Sequence, residues 1–224
     1  MSRTAWIIFS VVTVGVLAVL VYLSSQASSE PDVSNVEKFS VLDASEASGN
    51  ISDHVFGKAD SDVVLIEYAD YQCPSCASAF PRVQSIIEDY GDDIAVVTRN
   101  FAFQQPHGMA AASAAEAAGL QGKYKEMADL LYTNQPSWAR LGAADRDAQF
   151  GKYAEKLKLD VEKFNTDRGS NAVRQKINFD KALGNKSGVD STPYFFLNGE
   201  PVSYEVSSDP EAFNKLIEKT IDEQ

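Results

Sequence analysis

Four consecutive apolar residues, Val63-Val64-Leu65-Ile66, end seven residues before Cys73, the first of the chain's two cysteines. A run that is apolar on both faces suits a central strand covered by helices on each side. Beyond Cys76, Phe80, Val83, Ile86 and Ile87 recur at helical spacing as far as Gly91, with Pro81 inside the segment predicted to kink it. The pair Cys73-Pro74-Ser75-Cys76 therefore falls where a buried strand hands over to a helix. A helix N-terminus offers unpaired N–H donors and a partial positive charge, which stabilise a sulfur there as thiolate, the form that attacks disulfides. The two-residue spacer lets the second thiol reach the first and close a reversible disulfide. With no third cysteine, a structural disulfide would have to consume this pair.

At 224 residues the chain fits one full domain plus an N-terminal appendage, enough to bury a core without covalent staples. Its formal charge of −12 is a poor match for nucleic acid or anionic lipid heads. Residues 5–23 carry no charge and are rich in Val, Leu and Ile, long enough to cross a hydrocarbon core of about 30 Å. Arg3 on the N-terminal flank, with no basic residue on the other side until Lys38, orients such a span with its N-terminus inside and the bulk of the chain outside. The alternative is a signal sequence cleaved near Ala27. No cysteine follows directly, so a lipid anchor is excluded, and either way the domain is expected outside the cytoplasmic membrane, where disulfides persist. Residues 24–38 have too few large apolar groups to fold alone and read as a flexible tether.

Short extended patches are expected around 39–42, and a strand over 94–101 completes a strand, helix, parallel strand unit with the first. Helices are expected over 109–133, 143–157, 161–167, with Asp160 as N-cap, and 171–183. Thr192-Pro193-Tyr194-Phe195-Phe196-Leu197 then leads into a strand, the Asn198-Gly199 turn and a returning edge strand. A last helix over about 210–221 gathers Phe213, Leu216 and Ile217 on one face.

This order of strand, Cys-Pro-Ser-Cys, kinked helix, strand, helical block, Thr-Pro, hairpin and helix resembles the DsbA-type branch of the thioredoxin superfamily. Gly57-Lys58-Ala59-Asp60 with the strand to Tyr68 resembles the lead-in to that family's active site. Ala115-Glu116-Ala117-Ala118-Gly119 with Lys123-Tyr124 resembles its insertion, and Val189-Asp190-Ser191-Thr192-Pro193 resembles its cis-proline loop. The resemblance covers residues 51–222. It implies an α/β thioredoxin-like fold over 39–222 with an all-helical domain inserted at about 107–185, preceded by a single transmembrane helix within 1–23. It further implies that Cys73 is the nucleophile and Cys76 the more buried resolving thiol, that Pro193 is cis against the disulfide, and that the backbone of Thr192 pairs with the substrate peptide. Glu67 matches an acidic residue buried beneath the second cysteine, placed to relay its proton. No cofactor beyond the redox-active disulfide, and no metal, is implied.

The function expected on this basis is introduction of disulfides into unfolded or partly folded exported proteins, with recharging by a membrane quinone-linked thiol oxidase of the DsbB or VKOR kind. Stabilising the thiolate makes the disulfide more oxidising by roughly 30 mV per pKa unit. Strongly oxidising members commonly place a histidine beside the second cysteine, whereas this chain has Pro74-Ser75, so a moderately lowered Cys73 pKa is expected, with a hydrogen bond from the serine. A membrane-tethered reductase or isomerase, and a redox-inert chaperone or binding module, are the alternatives. Plainer readings stand beside these. The cysteines can be a structural disulfide or two buried thiols, and Glu67 can be paired with a core lysine. His54 reads as part of a polar loop, His107 as a surface or capping residue, neither with zinc-like spacing, and Trp138 as core.

Overall fold

The computed structural model describes residue 6 and residues 9–10, 12–17, 31–103 and 106–224. Residues 1–31 and 32–224 form two compact units. In the first, residues 9–10 and 12–17 are helical, and the Thr13 hydroxyl donates to the Phe9 carbonyl at 2.8 Å. Much of the span expected over 5–23 lies outside the described residues, and among the described residues no helix is long and apolar enough to cross a membrane.

The second unit is built on a five-stranded sheet: β1 (His54–Gly57), β2 (Val64–Ala69), β3 (Ala95–Asn100), β4 (Tyr194–Leu197) and β5 (Glu200–Val202), in the spatial order β1-β3-β2-β4-β5. Helix α1 (Pro74–Tyr90) crosses from β2 to the parallel β3, and the remaining pairs are antiparallel. The apolar run becomes the central strand because both faces of β2 find partners. Leu65 joins Val83, Ile86, Phe213 and Ile217 on the face covered by α1, while Ile66 and Tyr68 join Phe101, Phe179, Leu183 and Phe196 on the other. Alternation puts Glu67 on the Leu65 side, beneath α1. Helix α1 continues through Pro81 to Tyr90.

Between β3 and β4 lie α2 (His107–Gly119), α3 (Tyr124–Thr133), α4 (Gln135–Trp138), α5 (Ala143–Lys156), α6 (Val161–Arg168) and α7 (Asn171–Lys186). Asp160 caps α6, its carboxylate accepting from the Lys163 N–H at 3.0 Å. The single helix expected over 109–133 is two, α2 and α3. Gly122, at φ +73°, takes the left-handed conformation that lets the chain reverse, and at Gly119 a β-carbon would lie 2.8 Å from the His54 ring. Trp138 is buried, its indole donating to the Leu131 carbonyl at 2.8 Å. After β5 come a short α8 (Tyr204–Ser208), not foreseen, and α9 (Pro210–Asp222), which buries Phe213 and Ile217.

The expected tether divides. Residues 24–30 lie outside the described residues, but 32–38 are docked rather than free: Val33 is buried in the Leu183–Phe196 cluster, and the Lys186 ammonium donates to the Ser34 carbonyl at 2.7 Å. Residues 39–42 form no strand. Their backbone serves instead a buried arginine, since Arg99 donates to the carbonyls of Lys38 and Ser40.

That arginine belongs to a buried polar chain joining sheet to insertion. Asp53 accepts from Arg99 at 2.7 Å and from Lys176 at 2.9 Å; Lys176 reaches Asp180 at 2.7 Å; Asp180 accepts from the Asn100 amide at 3.1 Å. Asn100 continues to Glu116 at 2.6 Å, and Glu116 to His54 at 2.8 Å. His54 is thus the first residue of β1 and a hydrogen-bond partner of Glu116, not part of a loop, with its ring stacked 3.5 Å from that of Tyr124. Burial alone would raise the Asp53 pKa, but the charges of Lys176 and Arg99 outweigh it and hold the carboxyl below its ordinary value. Asp180 is pushed up by burial and by the charges of Asp53 and Glu116, against the pull of Lys176. Asp53, with a cation on each oxygen, is the carboxylate that carries the negative charge.

Candidate active site: a polarised pair of thiols

Cys73 is the N-cap residue of α1 and Pro74 opens the helix, where its missing N–H is no loss. Backbone bonds fix the turn: the Cys73 N–H donates to the Asp70 carbonyl at 3.0 Å, and the Ala77 N–H donates to the Cys73 carbonyl at 3.1 Å. Both sulfurs are thiols in this structure. Cys73 is 7 % exposed and Cys76 1 %, so the first sulfur is the one a partner can approach.

The two thiols are driven apart electrostatically. Cys73 is lowered from 9 to about 5, first by the hydrogen bond from the Cys76 thiol, against the opposing effect of burial, then by the Thr192 hydroxyl and the backbone N–H groups of Cys76 and Ser75. Serine thus contributes through its backbone rather than the hydroxyl expected from the sequence. When protonated, the Cys73 thiol donates to the Thr192 carbonyl at 3.3 Å. Cys76 is pushed far up by burial, by its hydrogen bond to Cys73 and by the nearby charge of Glu67, although the Asp70 N–H donates to its sulfur at 3.5 Å. The Thr192-Pro193 peptide is cis, bringing the Thr192 carbonyl against Cys73.

Glu67 is buried on β2, opposite Thr98 on β3 and Phe195 on β4. Burial raises its pKa to about 7, while the hydrogen bond with Thr98 and the charge of Arg82 pull the other way. No lysine is paired with it among the described ion pairs; the core lysine is Lys176, on the opposite side of the sheet. A cavity of about 20 Å³ beside Glu67 is lined by Tyr71, Phe80, Thr98, Tyr124 and Tyr132.

Two parts of the site were not apparent in the sequence. Gln135 of α4, distant along the chain and buried, donates from its side-chain amide to the carbonyls of Tyr71 at 2.7 Å and Cys73 at 3.1 Å. It ties the cysteine turn to the helical insertion. Tyr71 donates to the Tyr124 hydroxyl at 3.0 Å and packs against Tyr132, making an aromatic floor below Cys76. His107 opens α2 and its Nδ1 lies 3.0 Å from the Ala139 carbonyl.

The chain belongs to the thioredoxin family, which it matches over residues 49–219. A helical block is inserted between the active-site unit and the cis-proline hairpin. It is 37 % identical over 147 residues to a Na(+)/H(+) antiporter NhaA of Herminiimonas arsenicoxydans, a match covering 66 % of this chain and 22 % of that protein. The matched segment is thus about a fifth of the relative's length. Among solved structures, a thioredoxin-like oxidoreductase from Silicibacter pomeroyi DSS-3 aligns with a TM-score of 0.60 at 26 % identity, covering 76 % of this chain and 96 % of that one. The thiol-disulfide exchange protein alpha-DsbA2 from Wolbachia pipientis aligns with a TM-score of 0.63 at 18 % identity, covering 75 % and 87 %.

Proposed function

We propose that this chain is an extracytoplasmic protein disulfide oxidoreductase that donates the Cys73–Cys76 disulfide to exported proteins. The observation that carries the reading is the opposed state of the two sulfurs, one lowered to about 5 and the more accessible of the two at the helix end, the other pushed up and more deeply buried. A leaving thiolate that is stable as such departs quickly and favours the reduced enzyme. Two units below neutral pH correspond to at most ~60 mV of added oxidising power, reduced by solvent screening at the open edge of the sulfur.

In the forward reaction a client thiolate attacks Cys73 Sγ of the disulfide, the S–S bond breaks, and Cys76 leaves. Cys76 then takes a proton, for which Glu67, half protonated near pH 7, is the positioned donor. A second client thiolate attacks the client sulfur of the mixed disulfide, and Cys73 departs as thiolate. The client loses two electrons and gains a disulfide; the enzyme gains both as the Cys73 thiolate and the Cys76 thiol. Of the two client protons, one restores Glu67 and the other goes to solvent. Pro74, Ser75, Thr192 and Pro193 shape the approach to Cys73, and Thr192 offers backbone to the incoming peptide. Recharging requires an oxidant, assigned here to a membrane quinone-linked thiol oxidase of the DsbB or VKOR kind, with residues 5–23 holding the domain at that membrane.

Trapping tests this. With Cys76→Ser, a client whose single cysteine carries an aryl thiol in mixed disulfide should accumulate on Cys73, the Cys73 thiolate attacking the client sulfur and releasing the aryl thiolate, and Cys73→Ser should abolish oxidation of a reduced test protein. Full oxidation by the Cys73→Ser variant would refute the assignment.

A further inference from the structure

Three cavities open beside the cysteine turn. The first, of about 390 Å³, lies between α1, the Pro193 loop and α8, and is lined by Ser75, Ser78, Arg82, Tyr204 and Ser208 among others. A second, of about 270 Å³, continues from it along β4 and β5, sharing Pro193, Phe195, Tyr204 and Ser207. The third, of about 380 Å³, lies on the opposite side of Pro74, against α4, and is lined by Gln72, Gln135, Pro136 and Arg140. The chain has 32 acidic residues against 20 basic ones, yet none of the three cavities is lined by an aspartate or glutamate, and the cavities on either side of Pro74 each contain an arginine.

Those arginines have donors to spare. Neither Arg82 nor Arg140 belongs to an ion pair among the described residues. The Arg82 Nε is buried without a hydrogen-bond partner, and its Nη1 reaches only the Ser208 carbonyl, at 3.5 Å. A guanidinium presents its N–H groups in a planar fork that fits a carboxylate with two parallel hydrogen bonds, an interaction about twice as strong as a neutral one. The surrounding serine and tyrosine hydroxyls add further donors and offer no competing negative charge.

We propose that the site selects client cysteines flanked by carboxylates, an acidic side chain on one side of the cysteine pairing with Arg82 and one on the other side with Arg140. This rests on the oxidoreductase reading above and adds the class of peptide it favours. An acidic client must approach against the net charge of the whole molecule, so the preference arises from contacts made once the peptide is seated and is expressed in its residence, not in long-range attraction.

The test uses the full chain in its oxidised form with three synthetic dithiol peptides, identical except for Glu, Gln or Lys at the positions flanking the reactive cysteine. The Glu peptide should be oxidised with kcat/KM about five- to tenfold above the Gln peptide, and the Lys peptide more slowly than either. In the double variant R82Q/R140Q the Glu-to-Gln ratio should fall to about one, and in R82K/R140K, which keeps both charges, it should stay above one. Equal rates for the Glu and Gln peptides, or a preference for Glu that persists in R82Q/R140Q, would overturn the selection while leaving the oxidase reading intact. Oxidation of none of the three would overturn both.

Discussion

The molecule buries carboxylates on both sides of its central sheet and treats them in opposite ways. On one face Asp53 lies between Arg99 and Lys176, at 2.7 and 2.9 Å, and is held ionised. On the other Glu67 has a threonine hydroxyl and a more distant arginine charge, too little to offset burial, and titrates near neutral pH. Depth is similar in the two places; the difference is cations in contact. A fully paired carboxylate fixes the joint between sheet and insertion, whereas an underpaired one is left able to exchange a proton where Cys76 needs it.

Removing a cation from the paired side should have the largest effect. Lys176→Met leaves Asp53 and Asp180 facing each other without the ammonium between them, and should cost about 3–5 kcal/mol of stability, read by urea unfolding. A cost below about 1 kcal/mol would show that the charge of Asp53 does not depend on the Lys176 ammonium and that the contrast with Glu67 is overstated.

The underpaired side should show the opposite pH dependence. The folded-state pKa of Glu67 lies above its ordinary value of 4.5, so its contribution to stability is fully present below about pH 4.5 and is lost as pH rises through about 7. The loss amounts to about 3 kcal/mol at pH 8. Glu67→Gln, which cannot ionise, should flatten the stability profile between those limits and slow client oxidation above neutral pH less than below it. Asp53, held low by its cations, contributes stability that is present above its unfolded pKa and lost as pH falls through the lower folded value. The wild-type protein should therefore weaken at both ends of the range for different reasons. An unchanged profile in Glu67→Gln would remove Glu67 from the account of Cys76.

A smaller effect sharpens the link between insertion and site. Gln135→Ala deletes both hydrogen bonds to the cysteine turn and should cost about 1–2 kcal/mol in the reduced protein. It should also shift the thiolate absorbance titration of Cys73, a readout that packing loss remote from the sulfurs would leave alone.

What could be read from the sequence was local or ordered along the chain. The apolar run before Cys73, the helical spacing after it and the Asn198-Gly199 turn each carry their own signal within a few residues. Glu67 was singled out by the family resemblance, which places an acidic residue beneath the second cysteine. The Asp53 network could not be seen in this way, since its partners lie on β3 and α7, far along the chain, and a charged residue in isolation reads as solvated. For the same reason His54 looked like loop and Gln135 like nothing in particular. The alanine pattern of 109–133 runs on through the turn at Gly122, so apolar spacing overrode the glycines that end α2 and reverse the chain. Residues 32–38 were read as tether because they are too polar to fold alone, but they need not do so: Val33 finds an existing core and Lys186 caps the strap's carbonyls.

The central claim is that this environment makes the Cys73–Cys76 disulfide a donor. Its reduction potential, measured by equilibrating the full chain against glutathione buffers, tests that most directly. The account predicts a value well above that of the glutathione pool, with the reduced form the more resistant to denaturant because only it contains the stabilised Cys73 thiolate. A value near the thioredoxin range of about −270 mV, with the oxidised form the more stable, would contradict it and make the protein a reductant.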